Sequence, residues 1–428
     1  MTPATKLPSA SEPKPAPELR ARIFVYIGLA ALAIVSSLWL TKNVDLSVYW
    51  YAVTGFFGGS RPAYGPDSGI GYPMEYRYPP VTYLLLIPLK WLPMHAAGVC
   101  WMLAAWASGI VSVSLAIRIR NLRFSTLSLV ACCAFMLAYV VLAVRYGNVQ
   151  PFVIAWLLAA LALSEAHPAW AGALLALAVT FKIWPIMFLP WFVRKARRRA
   201  AIYFFGVFVV LWLLPFAFFG IAGYLSLLRD WYEAVHRMGT TYSEFYYFPS
   251  QSLRGILLRY FTPVAPPLKD FPVIHILSLA PRTAVVIWGV ASAAIYAIIV
   301  SIMLRSSPRK QWAWDGAVFV MYSLLEPYAV KSGLISLGPA ALMAACLFTL
   351  GAQRKTTPML SWANALFLMA CSISFLQAIL QYKPWQRMLL TVGLDFWGEI
   401  LLLAAFFLWI FFMPLDCAPP LRSSANLD

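Results

Sequence analysis

"AGALLALAVTFKIWPIMFLPWFVRKARRR", residues 171–199, decides the fold. It is apolar for most of its length, is interrupted by Lys182, Pro185 and Pro190, and closes on the basic block 194–199. A helix needs roughly 20 apolar residues to cross the hydrocarbon of a bilayer. Lys and Arg gather on the cytoplasmic side of such helices. Outward from this stretch the pattern repeats, with basic blocks at 305–310 and 353–355 set beside apolar runs. Of the 428 residues, 62% are hydrophobic and 11% charged, whereas globular domains carry about 25% charged residues. The surplus apolar surface exceeds what one water-soluble core hides. Continuous apolar runs, in place of alternating ones of about ten residues, indicate helices and not a barrel. The expected fold is an all-α integral membrane protein.

The clear spans are 22–41, 96–117, 124–144, 201–220, 283–304, 312–330, 333–350, 358–380 and 388–413. With the short stretch 80–94 and the long, proline-broken stretch 168–193, about twelve crossings at roughly 20 residues each are expected. Both termini then lie in the cytoplasm. Residues 1–21 form an arm with too little apolar content to fold alone, 22–414 one transmembrane domain, and 415–428 a cytoplasmic tail. The first span is too long for a signal-peptide core and no small-residue cleavage site follows it, so it is expected to be retained. One conflict stands. If 80–94 and 96–117 both cross, the basic "RIRNLR" at 118–123 falls outside; either that loop is an exception or one of the two helices is re-entrant. The segments 42–79 and 221–282 are too long for connectors, fall on the external side, and are rich in Tyr, Trp and Pro, which suits short helices lying at the interface.

The net charge of +17 sets topology; no aromatic-basic platform accompanies it, so no nucleic-acid partner is expected. The six cysteines lack zinc-ligand spacing and imply no disulfide. His95, His167, His236 and His275 are dispersed, no H-x-x-H is present, and there is no P-loop or G-x-G-x-x-G, so neither metal nor bound nucleotide is expected.

The chain has sixteen Asp and Glu. Glu12, Glu18, Glu165, Asp315, Asp416 and Asp428 face the cytoplasm in this topology, which leaves ten for chemistry elsewhere. Asp45 in "NVDLSVYWYA" (43–52) stands four residues past the first span. It suits a general base toward a hydroxyl, or it merely caps an interfacial helix. Lys182, a lone cation in an apolar run, reads as lining a polar cavity at a broken helix, with snorkelling as its alternative. Glu326 and Lys331 in "LLEPYAVKSG" pair across a break or face one pocket. "RYGNVQPF" (145–152) offers Arg145, Asn148 and Gln150, and "SQSLRGILLRY" (250–260) offers Gln251, Ser252 and Arg254; turn and cap chemistry explain these equally well. Asp395 and Glu399 share one helix face and read as structural.

An Asp after the first span, a loop ending "EYRYPP" (75–80), the "GNVQ" turn, "AGALLALAVTFKIWPIMFLPWFVRKARR" and "QSLRGILLR" together resemble glycosyltransferase family 87 over about residues 22–350. Its best-known members are polyprenyl-phosphate-mannose-dependent mannosyltransferases of the GT-C fold. The resemblance implies a GT-C-type polytopic helical bundle in the bacterial cytoplasmic (inner) membrane, with its site facing outward. It implies transfer of a hexose, mannose above all, with inversion, from a polyprenyl-phosphate-hexose donor to a glycolipid or glycan acceptor. Membrane lipids are its surroundings, and no cofactor or metal is implied. Asp45 takes the general-base role, and Lys182, with Arg145, Arg254 or Lys331, holds the donor phosphate. Tyr49, Glu75, Arg77, Tyr78, Asn148, Gln150, Gln251, Ser252 and Glu326 are the candidates for sugar and acceptor contacts. The chain departs from the family at "EPYAVKSGL", where relatives often carry two histidines and this sequence has none; Lys331 or Glu326 then substitutes, or the donor differs. A transporter or flippase for a lipid-linked solute and a non-catalytic envelope-assembly subunit are the competing readings.

Overall fold

A computed structural model describes residues 44–71, 74–120, 122–194, 197–241, 250–264, 271–307, 310–329, 331–352, 357–380 and 383–414. The expected arm 1–21, first span 22–41 and tail 415–428 lie outside these residues. Among the described residues all regular structure is helical. The helices are α1 (Val44–Phe57), α2 (Val81–Leu85), α3 (Met94–Arg120), α4 (Thr126–Tyr146), α5 (Gln150–Leu163), α6 (Pro168–Phe181), α7 (Leu189–Val193), α8 (Arg198–Thr240), α9 (Leu253–Phe261), α10 (Pro281–Arg305), α11 (Gln311–Leu325), α12 (Gly338–Ala352), α13 (Pro358–Ile379), α14 (Lys383–Val392) and α15 (Leu394–Phe412).

Among the described residues six helical segments are long and apolar enough to cross a membrane: Met94–Ile119, Arg198–Arg237, Pro281–Arg305, Gly333–Ala352, Pro358–Leu376 and Leu394–Phe412. α4, bent by 41°, makes a seventh if counted as one span. The chain is a polytopic helical membrane protein. Its centre is α11 and α12, whose side chains are almost all buried, with α13 and α15 packed together beside them. α8 and α10 are the opposite case. Large side chains such as Val210, Phe218, Val286 and Val290 stay exposed along them, and such surface is stable only against lipid.

Several boundaries differ from the sequence reading. The stretch 80–94 does not form a span; it folds as α2 and a 3-10 turn, Ile87–Trp91, because Pro88 and Pro93 interrupt the backbone ladder. A single long helix, α3, therefore separates the 42–93 segment from "RIRNLR", and the charge conflict disappears. The stretch 168–193 is α6, a break at Lys182 (φ −133°, ψ 124°), a 3-10 turn over Trp184–Phe188, and α7. α6 lies tightly on α8, since a Cβ on Gly172 would stand 2.6 Å from the backbone oxygen of Ala200. The expected span 388–413 divides at Gly393, whose φ of 73° is a left-handed conformation, into the amphipathic α14 and the span α15. In the segment 221–282, α8 continues to Thr240 beyond a break at Gly220, and α9 follows.

Polar contacts sort the loops into two ends. At one end Arg197 holds Asp315 by two hydrogen bonds of 2.9 and 3.0 Å and reaches Glu165 at 3.5 Å. There too Ser128 meets Thr349 at 2.8 Å and Arg194 donates to the Ser306 carbonyl. In the sequence, the basic blocks 194–199, 305–310 and 353–355 contain or closely follow Arg197, Ser306 and Thr349. At the other end the long segments converge on Asn148, Lys182 and Glu326.

Candidate functional site

α1 begins with Asp45 in its first turn and carries Tyr49 one turn later, so both side chains share a face. That face meets the α4–α5 turn. Asn148 Nδ2 donates to Asp45 Oδ2 at 2.7 Å, while Asn148 Oδ1 accepts from the Gln150 backbone N–H at 2.7 Å. The second bond fixes the amide orientation, because the oxygen must face the N–H and the NH₂ is left for the carboxylate. Gln150, fully buried, donates onward to the Tyr322 hydroxyl at 3.3 Å. The Tyr49 and Tyr78 hydroxyls are 2.9 Å apart, with their rings edge to face at 5.2 Å.

The second half of the site comes from two helix breaks. Lys182 leaves α6 in extended conformation, and its Nζ lies 3.2 Å from Glu326 Oε1. Glu326 ends α11 ahead of Pro327. The corner is pinned by α9. Ser252 Oγ donates to the Pro327 carbonyl at 3.3 Å, and the Gln251 N–H to the Ala329 carbonyl at 2.7 Å. Ser252 also caps α9 by accepting from the Gly255 N–H, and Gln251 Nε2 ties the Leu390 carbonyl of α14 at 2.9 Å. These two side chains thus build the corner that carries Glu326. Glu326 thus has Lys182 as an ion-pair partner; the Lys331 side chain, the partner weighed from the sequence, lies outside the described residues.

Electrostatics join the halves. Burial pushes the Asp45 carboxyl above its ordinary range, opposed by the Asn148 hydrogen bond and the Lys182 charge. Burial also pushes the Tyr78 hydroxyl up, and both Asp45 and Glu326 add to that shift, so Tyr78 lies within the field of both carboxylates.

The remaining candidates separate clearly. Glu75 is buried between Arg77 at 3.2 Å and Arg237 of α8 at 3.7 Å, and Trp231 donates to the Arg77 carbonyl at 3.0 Å. This group clamps the first long segment to α8. Arg254 lies over the Trp288 ring at 5.3 Å, and Trp288 meets Trp184, two residues from Lys182, at 6.3 Å. Arg145, half-buried in the last turn of α4, has no recorded ion pair among the described residues. No three His, Cys, Asp or Glu side chains among the described residues converge on a metal position.

Asp45 thus differs from Glu75 and Glu326, the other carboxylates among the candidate site residues. Glu75 is matched by two arginines and Glu326 by a lysine, whereas Asp45, half-buried, is held by a neutral amide and has no cation at ion-pair distance among the described residues.

Comparison with known proteins gives the class of reaction. The sequence model of glycosyltransferase family 87 matches residues 76–327, more than half of the chain. The chain belongs to glycosyltransferase family 87. It is a glycosyltransferase. No curated protein and no solved structure matches. The stretch matched by the family 87 model contains Asn148, Lys182, Arg254 and Glu326 and begins after Asp45 and Tyr49. In this family 87 chain the sequence reading passed over Tyr322 and Trp288, which lie inside apolar runs where a hydroxyl or an indole carries no positional signal of its own.

Proposed function

We propose that this glycosyltransferase moves a hexose, mannose first among candidates, from a polyprenyl-phosphate donor to a hydroxyl of a glycolipid or glycan acceptor, with inversion. The fold in this reading is of GT-C type, with about twelve crossings, both termini cytoplasmic and the site on the external face of the bacterial cytoplasmic membrane. Asp45 is the general base. The observation that carries the reading is an Asp45 carboxylate held, among the described residues, by the Asn148 amide, with the charge of Lys182 at a helix break acting on it.

The acceptor oxygen attacks the anomeric carbon from the face opposite the phosphate, and the bond from that carbon to the phosphate oxygen breaks. Polyprenyl phosphate leaves with the electron pair. The hydroxyl proton passes to Asp45, whose affinity for a proton burial raises above that of an ordinary carboxylate. Phosphate is a good leaving group and needs charge stabilisation instead of an acid. Lys182 supplies that charge, supported by Arg145 and Arg254, with Lys331 as a further contributor. Tyr49 and Tyr78 provide aromatic faces and hydroxyls for the sugar beside the base, Asn148 offers it a hydrogen bond, buried Gln150 acts through Asn148 and Tyr322, and Glu326 acts through Lys182. Gln251 and Ser252 act through the corner they build, and Glu75 and Arg77 through the position of Tyr78.

The test is a donor panel in proteoliposomes. Polyprenyl-phosphate-mannose, polyprenyl-phosphate-glucose and a nucleotide-activated mannose are each offered with a membrane lipid extract, and product anomers are read by NMR. Turnover with a polyprenyl-phosphate sugar and the inverted anomer is expected. Turnover with the nucleotide sugar alone contradicts the reading.

A further inference from the structure

Glu326 raises a question that the transfer reaction leaves open, because a carboxylate already occupies the cation assigned to the donor. This rests on the reading of Lys182 as the holder of donor phosphate. The lysine side chain is 20% exposed and the glutamate side chain 7% exposed, so Lys182 is the more accessible partner of the pair. Their single contact is 3.2 Å, monodentate on the carboxylate, and an ammonium has three donors to share.

The two partners also differ in mobility of attachment. Glu326 sits on the Pro327–Ala329 corner pinned by Ser252 and Gln251 and closed by its own N–H to the Tyr322 carbonyl at 3.0 Å. Lys182 reaches the site on four methylenes from a helix break. A ligand that takes the ammonium thus moves the lysine and leaves the carboxylate in place.

The charge balance of the reaction gives this arrangement a purpose. A sugar phosphodiester carries one negative charge. The phosphate monoester that leaves has a second ionisation near neutrality, with a pKa of about 6 in alkyl phosphates. A site built only of cations would therefore hold product more tightly than donor. We propose that Glu326 is a displaceable counter-ion for Lys182: it yields the ammonium to the donor phosphate and reclaims it afterwards, which expels polyprenyl phosphate. Glu326 is a positioning residue, and product release is the step it governs.

The experiment is direct binding of farnesyl phosphate, a short prenyl monoester, to the full chain in detergent, followed by tryptophan fluorescence and calorimetry. Wild type is compared with Glu326→Gln and Lys182→Met. Glu326→Gln is expected to bind about tenfold more tightly and Lys182→Met at least tenfold more weakly. A merely structural glutamate would give the opposite sign, since its loss would loosen the site. Equal or weaker binding by a folded Glu326→Gln, with Lys182→Met still impaired, overturns the counter-ion role and leaves the phosphate reading standing. Unchanged binding in Lys182→Met overturns both. If Glu326→Gln does not fold, Glu326→Asp, which draws the carboxylate back by one methylene, is read in the same titration. About threefold tighter binding supports the role, and wild-type affinity overturns it.

Discussion

A carboxylate serves as a base only if its neighbours leave it free to take a proton. At Asp45 the neighbours oppose one another: burial favours the protonated form, while the Asn148 amide and the Lys182 charge favour the ionised one. The sign of the resulting pH dependence follows. In the proposed reaction protonated Asp45 cannot accept the hydroxyl proton, so activity is expected to fall as pH drops through its pKa, with that acid limb above the ordinary Asp value of 3.8. Asn148→Ala removes an influence that lowers the pKa, and the acid limb of kcat/KM is expected to move to higher pH while the alkaline limb stays. An unmoved acid limb would dissociate Asn148 from the base. Asp45 was legible in the sequence from its position after an apolar run. Its partner amide was visible only as a turn, because the contact spans 103 positions and local pattern carries no such information.

Helices here are set by apolar runs and by their interruptions. The runs were legible: the cores of α3, α8, α10, α13 and α15 fall within the stretches read as spans. The interruptions were less so. Lys182 with Pro185 signalled a break, and the structure has one there. The break at Gly393 was not seen, since one glycine amid apolar residues does not distinguish an interfacial helix followed by a span from one long span. The same holds for the clamp between elements. Arg197, 1% exposed, joins Asp315 of α11 to Glu165 after α5, and in sequence it is one arginine in a basic block. Removing one partner of a buried ion pair leaves the other uncompensated. Arg197→Met is expected to destabilise the protein by about 3 kcal/mol, read as a lower thermal midpoint in detergent. Arg197→Met with Asp315→Leu is expected to recover much of that loss, and a double variant as unstable as the sum would show that the pair is not the source.

For the whole molecule, the two ends differ in kind. Short, basic loops and the Arg197 clamp lie at one, and the long aromatic segments with Asp45, Asn148, Lys182 and Glu326 at the other. In the proposed topology the first end faces the cytoplasm, as the positive-inside tendency predicts. Single cysteines placed at 121 and at 60 in a chain stripped of its own are expected to react with a membrane-impermeant maleimide from inside and from outside, respectively; the reverse pattern would invert the topology. In the proposed reaction the donor reaches the external end through the bilayer, and Asp45 is the group on which turnover is expected to depend. The most direct measurement is therefore transfer of labelled mannose from polyprenyl-phosphate-mannose by purified wild type and Asp45→Asn in proteoliposomes, with farnesyl phosphate binding as the control for folding. Loss of about 10²–10⁴-fold in kcat with binding retained is the expected result, in keeping with what general-base catalysis contributes. Equal turnover by the two proteins would contradict the account and remove Asp45 from the mechanism.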